Sequence, residues 1–148
     1  MGNTVTLAEQ CFGNEFSRSA HLLSSGTSAC YLALKILNLT PGKKVLTSPI
    51  SWVATSNAIV ENGLLPKYLP LDPCTLNIDI NQIEDNITDD VVAISLVHHA
   101  GIPFDHIAVS RICKKHNLFF VEDCAQSFGS KFADKLVGSY SDAATFSF

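Results

Sequence analysis

The 148-residue chain carries 10 Lys and Arg against 14 Asp and Glu, a formal charge of −4, and 47% of its residues are hydrophobic. Its length fits one domain of ordinary size, and a charged share of 16% excludes a disordered, highly solvated chain. The acidic balance gives no general attraction to nucleic acid or to an anionic membrane, so neither is expected as a partner. No apolar run approaches the ~20 residues that span a bilayer. The start, MGNTVTLAEQ, lacks the basic flank and apolar stretch of a secretory signal, and the expected compartment is the cytoplasm.

Read in chain order, short β-type runs alternate with amphipathic helical stretches. Thr4 to Phe16 reads as a helix and Ala20 to Ser24 as a short strand closing on Ser25-Gly26. From Thr27 to Leu37, the apolar residues Ala29, Cys30, Ala33, Leu34 and Leu37 share one helical face, and Thr40-Pro41-Gly42 stops that helix. Lys44 to Thr47 is a strand, Trp52 to Glu61 a helix ended by Asn62-Gly63, and Pro66 to Leu71 a strand. Asp79 is a cap for a short helix through Ile87, and Val91 to Val97 reads as a strand buried on both faces. Asp105 caps a helix from His106 to His116, Leu118 to Val121 is the next strand, and Lys131 to Phe148 holds two further β-type pieces.

Strand–helix alternation of this kind predicts an α/β fold, a three-layer α/β/α sandwich around a mainly parallel sheet. Ligands on such sheets bind outside the carboxyl ends of the strands. Four segments lie there: Ser25 to Ser28, Ser48 to Trp52, Val97 to Gly101 and Glu122 to Gln126. In the first, free N–H groups at a helix start and the hydroxyls of Thr27 and Ser28 suit an anion; the alternative is that Thr27 or Ser28 simply caps the helix. GxxxxGK[ST] and GxGxxG are both absent, which removes an NTPase or dinucleotide reading.

Glu122 and Asp123 are adjacent strand residues and point to opposite faces, so they do not form one acid/base pair. An aspartate at the end of a central strand suits a cationic nitrogen of a heteroaromatic cofactor, or else caps the turn that follows. Trp52 offers a flat apolar face to a planar ring, or belongs to the core. His98-His99 are neighbours whose side chains rarely converge on one ion, so they are read as shaping the crevice mouth and no metal is expected. The five cysteines form no CxxC pair and read as reduced, packed thiols.

These segments together resemble the DegT/StrS-type nucleotide-sugar aminotransferases, which belong to the aspartate-aminotransferase fold of pyridoxal-phosphate enzymes. The resemblance rests on SSGTSACYLALKILNLTPGKKVLTSPISWVATSNAI, LDPCTLNID, VHHAGIP, KKHNLFFVEDCAQSFGSKF and VGSYSDAATFSF, in the family's order and spacing from about Ser17 onward. It implies pyridoxal 5'-phosphate (PLP) as cofactor. Asp123 would pair with the pyridine nitrogen, Gln126 would lie beside the ring and its phenolic oxygen, and Trp52 would pack on the ring face. Gly26, Thr27, Ser28 and Ser147 would hold the phosphate.

The implied activity is transfer of an amino group, with glutamate as the expected donor, to a keto group of a nucleotide-linked sugar, in a homodimer. The resemblance also implies that residues 1–148 are an incomplete large, cofactor-binding domain, without the C-terminal small domain. The family's Schiff-base lysine would fall just beyond Phe148, so no catalytic lysine is expected within the chain, and the chain alone is expected to be inactive. The block His98 to Gly101 has Ala100 where the family commonly has an aromatic residue. Two other readings stand beside the transferase: a PLP-dependent sugar dehydratase, in which histidine replaces that lysine, and a non-catalytic remnant or partner that keeps the fold.

Overall fold

A computed structural model describes residues 2–148. The first helix, α1 (Asn3–Phe16), has no buried residue of its own and ends at Ser17, which turns the chain through the left-handed region. It docks through its aromatic side chains: the ring centroids of Phe12 and Phe16 lie 6.2 and 5.1 Å from that of Phe146. After it come α2 (Gly26–Lys35), β1 (Lys44–Thr47), α3 (Val53–Glu61), β2 (Leu65–Tyr68), β3 (Val91–Val97), α4 (His106–His116) and β4 (Phe119–Asp123). A two-stranded hairpin, β5 (Lys131–Phe132) and β6 (Lys135–Leu136), precedes β7 (Ala143–Thr145).

Five strands form one sheet in the order β2-β1-β3-β4-β7, and every neighbouring pair is parallel. Both faces are covered, so the strands bury alternate side chains in two separate cores. On one side Val45, Ala93, Val121 and Ala143 pack against Cys30, Ala33 and Leu34 of α2 and Ala58 and Ile59 of α3. On the other, Leu46, Ile94, Leu96 and Phe120 pack against Val109 and Cys113 of α4, with Phe104 and Ile83. This is the expected three-layer α/β/α arrangement.

The strand expected from Pro66 to Leu71 is β2, which ends at Tyr68, and Lys131 to Phe148 holds three β-type pieces in place of the two expected. Three further expectations change. Ala20 to Ser24 is not a strand. That segment finds no ladder partner, and the Leu22 N–H instead donates to Glu9 Oε1 at 2.9 Å. Asp79 to Ile87 is not an α-helix but two short 3-10 turns, Ile80–Gln82 and Glu84–Asn86, although Asp79 does accept from Asn81 N as a cap. The Asn and Asp residues there are poor helix formers, and single tight turns suffice to bring Ile83 into the core. Third, β4 runs two residues further than expected and carries both Glu122 and Asp123 inside the ladder, paired with Leu96 and Val97.

Candidate functional site

At the strand ends, segments meet in pairs: Thr55 with Asp123, Ala100 with Gln126, and Gly26 with Ser147, and the crevice is the region between them. Val121 and Asp123 share the α2/α3 side of the sheet, whereas Phe120 and Glu122 share the α4 side. The period of two therefore sends the two carboxylates to opposite faces, as read from the sequence.

Asp123 is only 5% exposed. Its Oδ2 accepts from Thr55 Oγ1 at 2.6 Å and lies 3.7 Å from Cys30 Sγ. Its Oδ1 accepts from Ala125 N at 3.1 Å. Thr55 in turn is 2.6 Å from Ser51 Oγ, so a hydroxyl pair from the start of α3 reaches the carboxylate. Sequence reasoning missed both hydroxyls. Their signal is the i, i+4 spacing of Ser51, just before α3, and Thr55, within its first turn, which brings the two hydroxyls together at the helix entry.

At the adjacent helix start, Ser25 is the N-cap of α2; its Oγ accepts from Ser28 N at 3.1 Å. The cap is thus neither Thr27 nor Ser28, the two residues expected for that role. Ser28 Oγ is 3.0 Å from Ser25 Oγ and 3.3 Å from Ser24 Oγ, while Thr27 is exposed. Ser147 closes this corner from the far end of the chain: a Cβ added to Gly26 would stand 2.9 Å from both Ser147 Cβ and Oγ. Glycine is what lets the two segments approach.

Gln126 is exposed, and its Oε1 accepts from Ala100 N at 2.7 Å. That bond holds the tight turn at Ala100 and Gly101, both at positive φ (53° and 78°). A Cβ on Gly101 would reach 3.0 Å from the Gln126 carbonyl oxygen, so two crevice loops are packed backbone to backbone. Trp52 precedes α3 and is 73% exposed, which removes the reading of it as a core residue.

His98 does not shape the crevice mouth. It is fully buried on the α4 side, where Nε2 is 3.0 Å from Glu122 Oε1 and the ring stacks on Phe104 with centroids 4.0 Å apart. Burial raises the pKa of Glu122, but the bonds from His98 and from Gly138 N outweigh it and hold the carboxyl below its ordinary value.

The crevice is chemically suited to a phosphorylated pyridine. A nearly buried carboxylate with both oxygens fixed suits a protonated ring nitrogen. The α2 N-terminus, flanked by Thr27, Ser28 and Ser147, suits a phosphate. A separate groove of about 460 Å³ between α1 and α2 reaches Gly26 and Ser147 at one end, and Asp123 lies outside it.

Comparison with known proteins bears on the fold and the family. The chain is 38% identical over 144 residues to GDP-perosamine synthase of Escherichia coli O157:H7, a match covering 94% of this chain and 40% of that protein. It is 36% identical over 150 residues to dTDP-4-dehydro-2,6-dideoxy-D-glucose 3-dehydratase of Saccharopolyspora spinosa, covering 93% of this chain and 32% of that protein. The crystal structure of NtdA from Bacillus subtilis with bound cofactor PMP superposes with a TM-score of 0.91 at 31% identity, covering 100% of this chain and 33% of that one. The chain therefore spans well under half the length of the relatives it matches. The family profile itself matches from residue 1 to residue 148, and the chain belongs to the DegT/DnrJ/EryC1/StrS aminotransferase family.

Proposed function

We propose that residues 1–148 are the front part of the cofactor-binding domain of a PLP-dependent sugar aminotransferase. The amino group would pass from a donor such as glutamate to a keto group of a nucleotide-linked sugar, in a cytoplasmic homodimer. The observation that carries this reading is the Asp123 carboxylate, fixed at the strand end between the starts of α2 and α3. Bound PLP would supply an electron-accepting ring that carries the amino group between substrates.

Each residue has a separate task in this reading. Asp123 holds a proton on the ring nitrogen, and a carboxylate with little solvent around it does so through a strong charge-assisted bond. Thr55 and Ala125 N keep that carboxylate pointed into the crevice. The first turn of α2 with Gly26, Thr27, Ser28 and Ser147 receives the phosphate, Trp52 covers the ring face, and Gln126 borders the ring while holding the Ala100 turn.

Pyridoxamine phosphate tests the site without any lysine, because it binds non-covalently. Titrated into the chain and followed by quenching of Trp52 fluorescence, it is expected to saturate, and Asp123→Asn is expected to weaken it at least about tenfold, the loss of one charge-assisted bond. Equal affinity for Asn or Ala at position 123 would end the proposal. The dehydratase relative at 36% identity supports a second reading on the same cofactor. Lys soon after Phe148 in the complete gene would favour transfer, and His would favour dehydration.

A further inference from the structure

The face of the sheet opposite the crevice holds a second polar cluster. Glu122 of β4, His98 at the end of β3 and His106 in the first turn of α4 are all 0% exposed. His98 Nε2 stands 3.0 Å and His106 Nδ1 3.8 Å from Glu122 Oε1, and one candidate ligand atom from each residue lies within 4.8 Å of the others. Among the described residues, neither ring nitrogen of His106 has a hydrogen-bond partner, and neither does Glu122 Oε2. Polar atoms buried without partners cost free energy, and their concentration at one point calls for a ligand.

Two imidazoles and a carboxylate are a donor set for zinc-class divalent ions. Ligand atoms at ~2.0–2.2 Å from a tetrahedral ion stand roughly 3.3 Å from one another, a spacing bracketed by the two distances to Glu122. We propose that His98, His106 and Glu122 bind one zinc-class divalent cation, which ties β3, α4 and β4 together. The ion exchanges the His98–Glu122 hydrogen bond for metal–ligand bonds and gives His106 Nδ1 a partner, while Gly138 N, 3.0 Å from Glu122 Oε1, keeps the carboxylate in place.

The setting is rigid and dry. Phe104 stacks flat on His98, and Tyr140 and Phe132 lie against His106 with centroids 5.4 and 6.1 Å away. Because all three ligands are sealed from solvent, the ion enters as the chain folds, and it contributes to stability. Asp123 points to the other side of the sheet, so the clamp works independently of the crevice.

The test refolds the untagged chain from denaturant with zinc chloride in excess, desalts it and measures bound metal. About one zinc per chain is expected, with a higher Tm than after refolding in chelator. His106→Met, which keeps the bulk, is expected to lose the metal. His116→Ala, which removes a half-buried surface histidine 2.7 Å from Glu84, is expected to keep it. Less than about a tenth of an equivalent in the unmodified chain, or full retention in His106→Met, overturns the proposal. So does loss in His116→Ala alone, which assigns the metal to the surface pair. Should His106→Met fail to fold, cobalt in the unmodified chain decides: intense visible bands of a four-coordinate ion, with the unpartnered Glu122 Oε2 completing the set, support the site, and only the weak bands of a hydrated ion refute it.

Discussion

Thr55 Oγ1 donates to Asp123 Oδ2 at 2.6 Å across 68 residues of sequence, and this bond joins the start of α3 to the end of β4. Replacing the hydroxyl by a methyl group of the same shape separates the bond from the packing. Thr55→Val is expected to weaken pyridoxamine phosphate binding about tenfold, the worth of a hydrogen bond to a charged group. Thr55→Ser is expected to restore it. Titration of the two variants side by side checks this; a Val variant that binds as well as the parent would mean that Ala125 N alone orients the carboxylate.

Gly26 and Ser147 make a second test. A Cβ at position 26 would sit 2.9 Å from Ser147 Cβ, far inside van der Waals contact. Gly26→Ala is expected to cost about 1–3 kcal/mol in chemical denaturation, the usual range for overpacking. Adding Ser147→Gly removes both clashing atoms and is expected to recover most of that loss. Additive effects in the double-mutant cycle would show that the two residues do not touch in solution.

The thiols divide by location. Cys30, Cys113 and Cys124 are buried, and Cys11 and Cys74 are exposed. Desolvation, then the charge of Asp123, pushes Cys30 up to about 12; burial does the same for Cys113, with Asp142 adding to it, and raises Cys124 well above the ordinary thiol value. Alkylation of the folded chain at mildly alkaline pH is therefore expected to modify Cys11 and Cys74, with the other three reacting only after denaturation. Peptide mass mapping reads this directly, and early labelling of Cys30 would contradict the packing of α2 on β4.

One ion pair gives a pH signature. The Lys44 ammonium is 2.8 Å from Asp90, and its hydrogen bond, followed by that of Thr88, lowers the Asp90 carboxyl to about 2. A carboxyl depressed in the folded state stabilises above its unfolded value of about 3.9 and loses that contribution as pH falls toward the folded value. Because the group is solvent-exposed, the contribution is small. Carboxyl-carbon NMR is expected to place the Asp90 midpoint near 2 in the parent chain and to move it only part of the way back toward the ordinary value in Lys44→Met, because the Thr88 hydroxyl still donates to it.

Much of this architecture was legible because burial on both faces leaves a simple trace. Val91 to Val97 is apolar almost throughout, and Asp105 and Thr40-Pro41-Gly42 punctuate helices where capping and chain-breaking residues should. The placement of Asp123 followed from two rules, that ligands bind at strand carboxyl ends and that side chains alternate along a strand. What stayed hidden depended on long-range partners. Ala20 to Ser24 has strand-like composition but no neighbour to pair with. Ser51 and Thr55 look like any helix start until β4 is placed beside them. His98 and Glu122 are 24 residues apart, and their meeting is set by the β3–β4 register, which no local pattern encodes.

The adjacency of Glu122 and Asp123 makes β4 sensitive to frame. A deletion or insertion of a single residue earlier in the strand would turn Glu122 toward α2 and α3 and Asp123 toward α4, leaving charge, length class and hydropathy almost unaltered. Drift in this stretch would thus be silent by composition yet would bring the wrong carboxylate, stripped of its His98 and Gly138 partners, to the ring-binding side.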